Sequence, residues 1–228
     1  IWNIRDLGGH PTIDGKRVKQ GLIFRGSELV DKAYVHNGST HVATVNDEGR
    51  RVLSEELQIG IEIDFRGNDE ANNITTSAIG SRVDYVRYPI SAYDYCVAKH
   101  SNGSPYPEMA QYYSDIFELL RNANRKHVYF HCWGGADRTG TIGFLLNALL
   151  GVSYTDLIID YELTSFDTVI RVREDNGDWK FTTMIETLKE CYQRSEEDTI
   201  QDIAKTWAKE CLGWSELEIN ALIANLTE

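Results

Sequence analysis

The sequence predicts an α/β fold: a central, mostly parallel sheet flanked by helices, with further helices at the C-terminal end, in one domain over residues 1–228. Three observations predict it. Short apolar runs of strand character occur only as far as Phe130; segments of helical spacing lie between them; and after Gly151 the periodic segments are helical. With 228 residues the chain can bury a sizeable core, and its 42% hydrophobic and 25% charged residues are ordinary for a globular protein.

The elements follow in order. Gly15–Lys19 is a basic turn leading into the strand Leu22-Ile23-Phe24. Asp47–Leu57 has helical spacing, ended by Gly60. Ile61–Phe65 alternates apolar and polar residues as a strand does. Val83–Tyr88 is a second candidate strand, stopped by Pro89, and Pro107–Ala123 reads as a helix. Val128-Tyr129-Phe130 is a buried strand, Gly134-Gly135 a loop, and Thr139–Leu150 an apolar helix. Four helices follow: Thr155–Thr164, Phe181–Cys191, Thr199–Leu212 and Glu216–Leu226. Ser215 and Glu218 form a capping box for the last.

The net charge of −12 argues against nucleic-acid binding, which calls for a basic surface. An anionic substrate then requires positive potential confined to a cleft. No run of 18 apolar residues is present, so no transmembrane segment is expected. The first residue is Ile1 rather than Met, which implies that residues precede it. The compartment stays open between cytoplasmic and secreted. Four cysteines, at 96, 132, 191 and 211, make neither a disulfide framework nor a metal pair; Cys96, Cys191 and Cys211 read as packing residues.

The chemistry is concentrated in His131-Cys132-Trp133-Gly134-Gly135-Ala136-Asp137-Arg138-Thr139-Gly140. A loop between a strand and a helix N-terminus turns successive backbone N–H groups inward. With the helix dipole they make an anion cradle. Glycines permit the tight backbone, and a cysteine at the floor is favoured as thiolate by the same field. Arg138 can grip two phosphate oxygens with its planar fork. The pattern suits two displacements: Cys132 attacks phosphorus, an acid protonates the leaving oxygen, and water hydrolyses the phosphocysteine with that acid now acting as base. Thr139 can donate its hydroxyl to the sulfur. No metal or cofactor is required.

This segment resembles the phosphate-binding loop of the protein tyrosine phosphatase superfamily. Further stretches are similar to the bacterial tyrosine and lipid phosphatase-like family: Asn3-Ile4-Arg5-Asp6-Leu7-Gly8-Gly9, Phe24-Arg25-Gly26-Ser27, Asp64-Phe65-Arg66 followed by Glu70, Gly151-Val152 with Asp160-Tyr161 and Thr164, and Leu212-Gly213-Trp214-Ser215. The resemblance implies Cys132 as nucleophile, Arg138 as phosphate binder and Asp137 as acid. It also implies phosphotyrosine, phosphorylated protein, inositol phosphate or phospholipid as substrate. One departure is Ala136, where the family usually has Lys; the missing charge counts against highly charged inositol lipids.

Other assignments have two readings each. Asp94, after a strand and upstream of Cys132, is either the acid or a solvated loop carboxylate. Trp133 either stacks on a substrate ring or packs against the loop. Arg5 and Asp6 either pair with each other or brace the loop. Arg25 and Arg66 either lend potential to the site or form structural ion pairs. His131 is expected to hold the loop from behind, and Tyr93, Tyr95, Tyr106, Tyr112 and Tyr113 are rim candidates of unknown direction. From other functional classes, the alternatives are a phosphate-binding module without turnover and a sulfur-transfer or arsenate-reducing enzyme.

Overall fold

The structure, a computed structural model, describes residues 1–36, 38–100, 103, 107–166 and 179–228. Its first elements are the short strand β1 (Arg5–Asp6) and the buried β2 (Ile23–Gly26). A polar hairpin follows, β3 (Tyr34–His36) and β4 (Ser39–His41), which no apolar alternation announces. Helix α1 (Asp47–Arg51), capped by the Asn46 side chain, continues as a π-helical turn over Val52–Glu56 where a longer α-helix is expected. Then come β5 (Ile59–Asp64), β6 (Asp84–Arg87), α2 (Pro107–Arg121), β7 (His127–His131) and α3 (Asp137–Leu149). Helices α4 (Tyr154–Glu162), α5 (Trp179–Tyr192), α6 (Ile200–Cys211) and α7 (Glu216–Leu226) complete the chain. The Ser215–Glu218 capping box is formed, and Thr199 with Asp202 makes a second one ahead of α6.

The five-stranded sheet has the order β1-β2-β7-β5-β6. β2, β7, β5 and β6 are mutually parallel, and β1 is antiparallel on the edge of β2. β7 is buried on both faces, so its side chains divide between two cores. Val128 and Phe130 join the large cluster under α2, α3 and α5–α7, while Tyr129 joins Phe24, Leu29, Val45 and Leu53 on the other side. This two-sided burial is why the strand reads as a continuous apolar run. Helix α3 is buried at every position from Thr139 to Leu149, which explains its all-round apolar sequence.

Register sets the position of the loop. Gly26 of β2 and Asp64 of β5 both lie opposite His131, the last residue of β7. Three parallel strands thus end level with one another, and the segment 132–136 leaves over their carboxyl ends, where α/β sheets form crevices. Among the described residues no helix is long and apolar enough to cross a membrane.

Candidate active site

The loop between β7 and α3 is shaped by its carbonyls. The Cys132 carbonyl accepts from His131 Nδ1 at 3.0 Å, and that of Trp133 accepts from the Glu28 N–H at 2.8 Å. Asn3 Nδ2 donates to the carbonyls of Gly134 (3.1 Å) and Gly135 (2.9 Å), and Arg25 Nη2 donates to Gly135 as well, at 3.0 Å. In a trans peptide the N–H points opposite to the C=O. Four successive carbonyls held from outside therefore turn the N–H groups of Trp133, Gly134, Gly135 and Ala136 to the other side, as a concave nest for an anion. Gly135 has φ +67°, and a Cβ there would stand 2.4 Å from the Gly26 carbonyl carbon and oxygen. No other residue fits this approach of loop to β2.

Cys132 is buried, at 3% exposure. Its sulfur is near enough to Arg25 and Arg138 that a thiolate there raises the basicity of both guanidinium groups. Arg138 stands in the first turn of α3. Its Nη1 and Nη2 meet the two Glu70 carboxylate oxygens at 2.7 Å each, and Nη1 also donates to the Phe65 carbonyl at 3.1 Å. Burial alone would lower the Arg138 pKa; the Glu70 bonds and the Cys132 charge reverse this and raise it. Three of five donors are thus used, two on Nη1 and one on Nη2. Nε and the second Nη2 hydrogen form the remaining edge of the fork, a bidentate donor pair. Glu70 itself is held below the usual carboxylate range: burial opposes this, but the Arg138 bonds outweigh it.

Asp137 opens α3, and its Oδ1 accepts from the Tyr93 hydroxyl at 2.6 Å. Asp94 lies in the short 3-10 turn Tyr93–Cys96. Both carboxylates line one cleft of about 510 Å³, together with Ile90, Ser91, Ala92, Tyr93, Tyr95, Arg138 and Lys180. The structure thus brings both acid candidates to the same lip. Thr139 Oγ1 is buried with no hydrogen-bond partner among the described residues. Ala136 is buried, so the position where the family usually carries Lys offers no charge; Lys180 of α5 is among the residues that line the cleft.

Trp133 is 38% exposed and stacks on His41, with centroids 4.9 Å apart. It packs against the β3–β4 hairpin, as His41 itself does on Tyr34. Arg5 and Asp6 do not pair with each other, because neighbours on a strand point to opposite faces. Arg5 meets Asp160 Oδ1 at 2.8 Å and the Asn3 side chain at 2.6 Å, whereas Asp6 accepts from the Gly8 and Gly21 N–H groups. Arg25 is fully buried, bound to Asp160 Oδ2 at 2.8 Å. Arg66 is equally buried among Asp64, Glu28 and Tyr34, an internal ion pair away from the cleft. His131 bridges the Cys132 carbonyl and Glu62 Oε1, 3.0 Å from each. Tyr95 is exposed at the rim, Tyr112 is half-buried and Tyr113 is buried against Cys96; Tyr106 lies outside the described residues. All four cysteines are free thiols.

Sequence reasoning missed the roles of Asn3, Glu70 and Asp160. Each stands in a motif that the family resemblance rests on, which was the available signal. A sequence model described as the tyrosine phosphatase family matches residues 1–228. A Cupriavidus necator protein assigned by name to the tyrosine-protein phosphatases is 29% identical over 177 residues, covering 71% of this chain. This chain spans 59% of that relative's length. Among solved structures, the core catalytic domain of the PP-IP phosphatase SIW14 from S. cerevisiae, in complex with citrate, aligns with 15% identity and a TM-score of 0.38, over 72% of this chain and 78% of that one.

Proposed function

Because this chain belongs to the tyrosine phosphatase family, we propose that it hydrolyses phosphate monoesters through a phosphocysteine, with phosphotyrosine as the preferred substrate class. The observation that carries this reading is the set of four outward-anchored carbonyls, which turns four N–H groups inward over Cys132. Phosphoryl oxygens lie in that nest and on the open Nε–Nη2 edge of Arg138, whose orientation Glu70 fixes.

The Cys132 thiolate attacks phosphorus as the P–O bond to the leaving group breaks, and Asp137 gives its proton to the departing oxygen. Water then attacks the phosphocysteine, Asp137 takes a proton from it, and inorganic phosphate and the thiolate are released. Thr139, whose buried hydroxyl has no partner among the described residues, donates to the sulfur in that second step. Asp94, on the same cleft, is the other candidate for the acid.

Inositol phosphates and phosphoinositides are the second substrate class. The place of Lys180 on the cleft lining supports that class, against the missing charge at Ala136. Turnover of p-nitrophenyl phosphate that disappears in Cys132→Ser supports the proposal. Phosphate binding without Cys132-dependent turnover would make the domain a binding module instead. A panel of phosphotyrosyl peptides, inositol phosphates and phosphoinositides then ranks the substrates.

A further inference from the structure

We propose that Tyr93 is a positioning residue for the acid step, fixing which oxygen of Asp137 carries the transferred proton. The inference rests on the phosphatase reading above and on Asp137 as its acid.

Tyr93 is placed with unusual insistence. It is a non-glycine residue at φ +62°, a conformation that persists only where its surroundings impose it, and such residues cluster at functional sites. Its N–H donates to Thr141 Oγ1 at 2.9 Å, and that hydroxyl donates onward to the Asp137 carbonyl at 3.0 Å. Its ring is 5% exposed, and its hydroxyl meets Asp137 Oδ1 at 2.6 Å and the Tyr161 hydroxyl at 3.0 Å. Tyr161 is fixed in turn by stacking on Phe181, centroids 3.6 Å apart and planes 3° from parallel.

The donor directions follow from the chemistry. An ionised carboxylate only accepts, so Tyr93 donates to Oδ1 and its oxygen is left to accept from Tyr161. Burial, with Tyr161 and Asp137 beside it, pushes the Tyr93 phenol well above its ordinary value, so it stays a donor. While Tyr161 donates to the Tyr93 oxygen, the Tyr93 hydrogen stays pointed at Oδ1, and a proton placed there for the acid step would confront it. That proton therefore resides on Oδ2. A hydrogen bond to a charged acceptor is stronger than one to a neutral acid, so the Tyr93 bond tightens as the proton leaves. The phenol pair strengthens the effect by mutual polarisation.

The diagnostic is the leaving group. Phenyl phosphate, whose phenolate is a poor leaving group, needs its proton more than p-nitrophenyl phosphate does. For Tyr93→Phe, kcat for phenyl phosphate should fall about tenfold or more, within the range that general acid catalysis supplies. The loss on p-nitrophenyl phosphate should be about threefold or less, with KM for both little changed. Adding Tyr93→Phe to Asp137→Asn should bring no further selective loss. Tyr161→Phe, which keeps the Tyr93–Asp137 bond, should show the same selectivity more weakly, and it tests the idea if Tyr93→Phe fails to fold. Equal losses on both substrates would overturn the inference, as would selectivity that follows Asp94→Asn rather than Asp137→Asn. If the unmodified protein shows no Cys132-dependent turnover, it is the phosphatase reading that fails.

Discussion

Two buried ionic clusters support the loop between β7 and α3, and they are built with different charge balances. In the first, Arg5 and Arg25 share one carboxylate, Asp160. In the second, Glu28, Glu62 and Asp64 surround Arg66 and His131, with His41 bound to Glu28 at 2.7 Å. The titration behaviour follows. Burial and the neighbouring Arg5 push the Arg25 pKa down to about 10, against the pull of Asp160 and Cys132. Burial acts on Arg66 in the same sense, but Asp64 and Glu28 reverse it and raise the value. The first cluster is short of anion, and its surplus positive field reaches the Cys132 sulfur. The second sets three carboxylates against Arg66 and two histidines and serves as a back wall for the loop. The chain's net charge of −12 is thus compatible with an anion site, because the local balance beside Cys132 is cationic.

The sharpest way to break this contrast is to remove one arginine from each cluster. Arg66→Met should destabilise the fold by about 3–5 kcal/mol in urea unfolding, since it removes the arginine shared by two fully buried carboxylates and leaves them only His41, His131 and Tyr85. Arg25→Met should cost clearly less stability, because Asp160 keeps Arg5, yet it should lower kcat/KM more at equal folded fraction. Equal stability losses would erase the distinction.

A second change tests the seam where the first cluster holds the loop. Gly135→Ala meets the Gly26 carbonyl and a left-handed backbone, the latter alone worth about 1–2 kcal/mol. Turnover of p-nitrophenyl phosphate should fall far more than the urea midpoint, because the displaced peptide carries two of the four N–H groups.

The smallest expected effect is in the pH dependence. His131 has a raised pKa: burial lowers it, but Asp64 and Glu62 prevail. Its contribution to stability is complete below its unfolded value and is lost as pH rises through the raised one. For Asp64 burial raises the pKa, but His131 and Arg66 hold it at about 2, so its contribution is complete above the ordinary value of 3.8 and fades as pH falls toward 2. Urea midpoints should therefore decline gently on the alkaline side, and His131→Gln should flatten that decline and also shrink the acid limb, because it removes one of the charges that hold the Asp64 pKa down.

The loop between β7 and α3 stands out in the sequence because its residues are local. Cys132, the two glycines and Arg138 sit within seven consecutive residues, framed by a strand and a helix whose apolar runs are unmistakable. What holds the loop was not readable. Asn3 reaches it across 131 residues, Arg25 across 110 and Glu70 reaches Arg138 across 68, and such pairs exist only once the sheet has its register. The motif residues Asn3, Glu70 and Asp160 were visible as letters, but their partners were not. Arg5 and Asp6 look like a pair in sequence, and the alternation of a strand separates them. The β3–β4 hairpin gave no signal because it is polar, although His41 anchors Trp133 from it.

If four backbone N–H groups over Cys132 form the phosphate site, amide NMR reads it directly. On titrating the wild-type protein with inorganic phosphate, the ¹⁵N–¹H signals of Trp133, Gly134, Gly135 and Ala136 should move together along one binding curve, and in Arg138→Ala that curve should weaken markedly. Phosphate that shifts other amides while leaving these four in place would contradict the account.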